Sequence, residues 1–151
     1  ANDLVGRKIL RDGGRSLTAL LSELEDVTSQ LEEGGTRLAV IKQQYQQGLK
    51  ALIEASEWLK TKGLESPGAP GAIAVNYLML MGTVVGGWLL ARSALAASRQ
   101  RKEGGADQVF CDGKVAIATF YAEHIMPRSQ SYLATVLAGE DSIMGIAADL
   151  L

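Results

Sequence analysis

Apolar residues recur along most of this chain at three- and four-residue intervals, the repeat of an amphipathic helix. A short first segment spans residues 3–11. In residues 16–33, Leu17, Leu20, Leu21, Leu24, Val27 and Leu31 fall on one face, with Ser16 placed to cap the start. Residues 36–62 repeat the pattern with Leu38, Ile41, Tyr45, Leu49, Leu52, Ser56 and Leu59, while Lys42, Gln43, Gln46, Lys50 and Glu54 lie largely off that stripe. Gly63 is the expected C-cap. Pro67 and Pro70 then stand in LESPGAPGA, a loop that no helix crosses.

Residues 72–91, AIAVNYLMLMGTVVGGWLLA, carry no charge at all. At about 1.5 Å rise per residue such a run can just cross a bilayer core of about 30 Å, and Gly82 and Gly86 have the spacing of membrane helix pairs. Three features favour the central helix of a water-soluble bundle instead. Asn76 and Thr83 interrupt the run, and the helical pattern continues past Arg92 to residue 102 without the break expected at a membrane interface. The charged amphipathic segments on either side can cover an apolar helix in water. A fifth helix is expected over residues 114–138, with Val115, Ala118, Ala122 and Ile125 inward and a kink or break at Pro127. The tail SIMGIAADLL is apolar enough to dock. Glycine pairs at Gly13-Gly14, Gly34-Gly35 and Gly104-Gly105 punctuate the chain. With no alternating strand pattern, the fold class is all-α: an antiparallel helical bundle of four to five helices around a central apolar helix.

The length, 151 residues, suits one domain. A net charge of −2 and a pI near 5.4 argue against a nucleic-acid partner, because such binders present a basic face. The one dense basic stretch, Arg99-Gln100-Arg101-Lys102, sits where cations suit the negative end of a helix. Cys111 is the single cysteine, so neither an internal disulfide nor a cysteine-rich zinc site is possible, and a reducing, cytoplasmic setting is expected. The start ANDLVGRK has neither a signal-peptide layout nor an initiator Met, which reads as a piece cut from something longer.

Candidate chemistry is sparse. His124 follows Glu123 in a helix, and adjacent helical residues point apart, so they make no acid–base pair. Asp3, Asp12, Glu23, Glu25, Asp26, Glu32 and Glu33 lack the Glu-x-x-His pattern of a di-iron bundle, and DGGR at 12–15 lacks the spacing of a phosphate loop. No catalytic, cofactor-binding or metal residue is assigned. The informative residues are Gly82, Gly86, Gly87 and Trp88. Three interior glycines weaken a helix by about 3 kcal/mol together, which close approach of a second helix, with Trp88 beside it, would offset. They are the expected helix-packing site.

Three stretches carry a resemblance: NDLVGRKILRDGG at 2–14, VNYLMLMGTVVGGWLLAR at 75–92 and KVAIATFYAEHIMP at 114–127. In order and spacing they resemble the extra C-terminal helical domain of long FAD-dependent acyl-CoA dehydrogenases, the group that includes methylmercaptopropionyl-CoA dehydrogenases. The match covers nearly the whole chain and is weakest over 36–72 and the tail. In that family a Tyr-Glu-Gly-Thr motif, whose glutamate takes the α-proton of the acyl-CoA while hydride passes to the flavin, shortly precedes the stretch resembling DLVGRK. That motif is absent here. The resemblance therefore implies a single C-terminal helical domain over 1–151, a piece of an oxidoreductase of fatty acid metabolism. The catalytic base, the FAD and the acyl-CoA sites would lie elsewhere in the parent. The expected partners are the parent's remaining domains and further copies in a homo-oligomer, with no membrane span. The expected role is accessory: supporting the catalytic core and subunit association. A stand-alone helical interaction module that binds a partner helix in a groove is the alternative.

Overall fold

The computed structural model describes residues 1–9, 12–104 and 107–146, and among them every regular element is helical. A wide helical coil, Asp3–Ile9, buries Val5 and Ile9. Helix α1, Arg15–Glu32, follows a turn in which Gly13 and Gly14 hold φ of 67° and 80°, angles that side chains disfavour. This turn decides the cap. It brings the Asp12 carboxylate back over the helix start, where it accepts from Gly14 N at 3.0 Å and Ser16 N at 2.9 Å. Ser16 thus lies inside the helix and Asp12 caps it, which corrects the expectation. The Ser16 hydroxyl bond, followed by the backbone bonds, holds the Asp12 carboxyl below the usual range.

A tight turn, Gly35–Leu38, leads into α2, Ala39–Glu65. Its predicted stripe is the buried one: Leu38, Ile41, Tyr45, Leu49, Leu52, Ser56 and Leu59 all lie in the core. Gly63 does not end this helix. The chain leaves helical geometry at Ser66, with φ −128° and ψ 131°, because Pro67 disfavours the α region for the residue before it.

Helix α3, Ala69–Glu103, begins three residues before the expected 72. Pro70 falls in its first turn, where a missing N–H costs no helical bond, so it starts the helix and does not lie in the loop. Gly104, at φ 77°, closes it; Gly105, its expected pair, lies outside the described residues, as does the end of the predicted 3–11 segment. Helix α4, Gln108–His124, starts six residues before the expected 114 because Asp107 caps it, accepting from Val109 N at 2.8 Å. Pro127 does break the segment, and α5, Arg128–Leu137, runs on from it. Ile125 is only half-buried; Met126 takes the core position. A last turn, α6, Asp141–Met144, precedes the tail, whose residues 147–151 lie outside the described set. In the described part of the tail, Ile143 and Ile146 are exposed.

Helix α3 is the axis of the bundle and packs on α2, α4 and α5. By length and composition it could cross a membrane. Its burial, however, is one-sided. Ile73, Tyr77, Leu80, Val84, Gly87, Ala91 and Leu95 form the inner stripe, while Val75, Leu78, Met79 and Leu89 face outward. The amphipathic neighbours therefore cover one side of this helix and not its whole circumference, as the sequence had suggested they could.

Candidate helix-packing and docking site

The expected site residues divide between the two sides of α3. Gly87 is buried, and a Cβ placed on it would lie 2.6 Å from Met126 Sδ. The Met126 methyl also fills the notch over Gly48 on α2, beside Val84. One flexible thioether thus occupies the space left by two missing side chains, so α2, α3 and the α4–α5 corner meet closely. Gly86 lies under Tyr121 of α4: its Cβ would stand 2.6 Å from Tyr121 Oη, which donates to the Thr83 carbonyl at 3.0 Å. Burial raises the Tyr121 hydroxyl pKa.

Gly82 stands apart. It is exposed, and a Cβ there would meet nothing within 4 Å. Trp88 is half-buried; Arg92 lies over its ring, 4.7 Å from the centroid, and its Nε1 is buried with no hydrogen-bond partner among the described residues.

Tyrosine hydroxyls join two further helix pairs, α1–α2 and α2–α3. Tyr45 Oη of α2 donates to the Leu24 carbonyl of α1 at 2.7 Å. Tyr77 Oη of α3 and Ser56 Oγ of α2 lie 2.8 Å apart in the core. Burial pushes the Tyr77 hydroxyl up to about 12 and that of Tyr45 higher still. Gly48, Tyr77, Tyr121 and Met126 were not singled out from sequence. Gly48 had a legible signal, three residues after Tyr45 on the same stripe; the tyrosine partners are set by contacts 21 and 38 positions apart in sequence, which periodicity does not encode.

The titratable residues do not converge. His124 and Glu123 are both exposed, and the His124 ring stacks at a tilt on Phe120, centroids 4.9 Å apart. Asp3 pairs with Arg7, Asp12 caps α1, Glu32 pairs with Lys42 at 3.0 Å, and Glu23, Glu25, Asp26 and Glu33 face solvent. Among the described residues no three His, Cys, Asp or Glu side chains group as metal ligands. Cys111 is buried and free. Asp112 binds both Arg37, from the turn before α2, and Arg101, at the end of α3; these bonds hold its carboxyl below the usual range.

The family described as acetyl-CoA dehydrogenase C-terminal like matches residues 10–147. The 3-methylmercaptopropionyl-CoA dehydrogenase of Ruegeria pomeroyi is 31% identical over 144 residues, covering 95% of this chain and 24% of that protein. The broad-specificity linear acyl-CoA dehydrogenase FadE5 of Mycobacterium tuberculosis is 28% identical over 151 residues, covering 95% of this chain and 25% of that protein. The chain spans about a quarter of the length of these curated relatives.

Proposed function

The chain belongs to the acetyl-CoA dehydrogenase C-terminal-like family, and from that membership we propose that it is the accessory C-terminal helical domain of an acyl-CoA dehydrogenase. Its role in that reading is structural: it buttresses the catalytic core and takes part in subunit contact. The parent would carry out FAD-dependent α,β-dehydrogenation of an acyl-CoA thioester in the cytoplasm, with the catalytic glutamate in the part of the protein preceding this region. The family match over residues 10–147 carries the proposal.

Three of the helix starts are ill-suited to a flavin pyrophosphate. A dinucleotide pyrophosphate is usually received at a helix N-terminus with free backbone N–H groups. Here the starts of α1 and α4 are occupied by the carboxylates of Asp12 and Asp107. The start of α3 faces the Glu140 carboxylate, which pairs with Ser66 and lies against Gly68. An incoming phosphate would meet a fixed negative charge at each. The described residues also contain no strand–turn–helix for dinucleotide binding. No chemical step is therefore assigned to this chain's side chains.

The test compares this chain with a longer one extended upstream to the full length of its relatives. Flavin absorbance after gel filtration and dye reduction with acyl-CoAs of several chain lengths are measured for both. The expected result is FAD and activity on the longer protein and neither on this chain. Stoichiometric FAD on this chain would overturn the accessory role; a longer protein without flavin or activity would overturn the dehydrogenase assignment.

A further inference from the structure

The chain beyond α5 is held to the bundle by a single polar contact. Val136 is the last described residue of the core, and Ile143 and Ile146 are 57% and 50% exposed, so little apolar burial anchors this end. Among the described residues, one hydrogen bond joins residues 140–146 to the rest of the chain: Ser66 Oγ donates to the Glu140 carboxylate. That carboxylate also lies against Gly68, where a Cβ would collide with it. Glu140 occupies the N-cap of α6 yet makes no side-chain bond to its own helix. It is turned instead to the start of α3, whose N-cap, Gly68, has no side chain to offer. A negative group suits that positive helix end. Between α6 and the α2–α3 corner lies an open cleft of about 360 Å³, with Trp58, Lys62, Glu65, Leu137 and Asp141 in its walls, so close packing does not reinforce the contact.

We propose that residues 140–146 form a strap, hinged at Gly139 and fastened by Glu140 to the corner between α2 and α3, that opens while the bundle stays folded. The hinge is a glycine at φ 67°, placed between the end of α5 and the strap. Helix α6 does not stand by itself. It is one turn, closed by Ile143 N on the Glu140 carbonyl and Gly145 N on the Asp141 carbonyl, both at 2.9 Å, and a single turn is far too short to persist alone in water. Those two bonds therefore report whether the strap is fastened. The charges around the cleft do not tighten it: Glu65, Glu140 and Asp141 face one cation, Lys62, which pairs with Glu65 at 3.0 Å. Glu140 is left with a hydroxyl as its partner. One such bond is small beside the stability of a whole domain, so the strap releases well before the core opens. Opening bares the start of α3 and one wall of the cleft.

The strap stands independently of the parent's activity, and amide hydrogen exchange of this chain, followed residue by residue by NMR, tests it. In the native protein the Ile143 and Gly145 amides should be protected, though less than core amides such as those of Leu52 and Leu80. Ser66→Ala removes the fastening hydroxyl, and Gly68→Ala pushes the carboxylate away without touching a polar group. Each should speed exchange at Ile143 and Gly145 by about tenfold, the factor that one hydrogen bond to a charged group supplies, and leave Leu52 and Leu80 unchanged. Ser66→Thr, which keeps the hydroxyl, should retain the native protection. Unprotected Ile143 and Gly145 in the native chain would overturn the fastened state, and unchanged exchange in both alanine variants would overturn the latch. Equal acceleration at Leu52 and Leu80 would also overturn the proposal, because the segment would then open only with the bundle.

Discussion

The Tyr121 hydroxyl lies over Gly86, 2.6 Å from where a Cβ would be, and from there reaches the Thr83 carbonyl one turn earlier at 3.0 Å. A glycine in the middle of a long helix is thus matched to a polar contact from α4, which needs the backbone uncovered at that place.

Gly86→Leu should lower stability although leucine improves helix propensity by about 1 kcal/mol. Displacing Tyr121 breaks its bond to Thr83 and crowds the α3–α4 seam, and overpacking of this kind typically costs about 1–3 kcal/mol. The urea midpoint should fall. An unchanged or higher midpoint would mean that Tyr121 swings away freely.

Met126→Ala should be the more damaging change, by about 2–5 kcal/mol, because the thioether fills the notches at both Gly48 and Gly87 and the helices around it cannot collapse inward by a whole side chain. Met126→Leu, similar in volume, should restore most of the loss. Equal melts for the alanine and leucine variants would contradict the packing described.

Alkaline stability should depend on Tyr77. Its folded pKa, about 12, stands above the ordinary 10.0, chiefly through burial. A raised value means that the folded state favours the neutral phenol, so the contribution is complete below pH 10.0 and is lost as pH rises towards about 12. Tyr77→Phe should flatten that part of the profile. Ser56 Oγ keeps its bond to the Leu52 carbonyl at 2.6 Å, so the variant should lose only about 1 kcal/mol at neutral pH. Melts across the alkaline range test both statements.

Acid stability should depend on Asp112 in the opposite sense. Arg37 and Arg101 depress its pKa below 3.8, so its contribution is present above 3.8 and disappears as pH falls through the lower folded value. Asp112→Asn should narrow the difference between melts taken on either side of that window. Added salt should weaken the native protein's advantage, since the pair is exposed.

By itself the sequence determined the helices and their inner faces. The stripe from Leu38 to Leu59 is the buried stripe of α2, and Pro127 ends α4, because a 3.6-residue repeat and a missing backbone donor act within one or two turns of chain. The motif order was also enough to show the family resemblance. Element boundaries were less legible, since Asp12, Asp107 and Pro67 set them through turn geometry that no apolar pattern records. Tertiary structure alone decided what each glycine of α3 does. Gly82, Gly86 and Gly87 look equivalent in the sequence, yet they face open space, a tyrosine hydroxyl and a methionine sulfur respectively. Successive helical positions turn by about 100°, which takes Gly86 to the α4 seam and Gly87 to the core. Gly82 and Gly86, four residues apart, share nearly one face and differ because Tyr121 of α4 lies over Gly86 and no described residue lies over Gly82. Both outcomes depend on where α2, α4 and α5 dock.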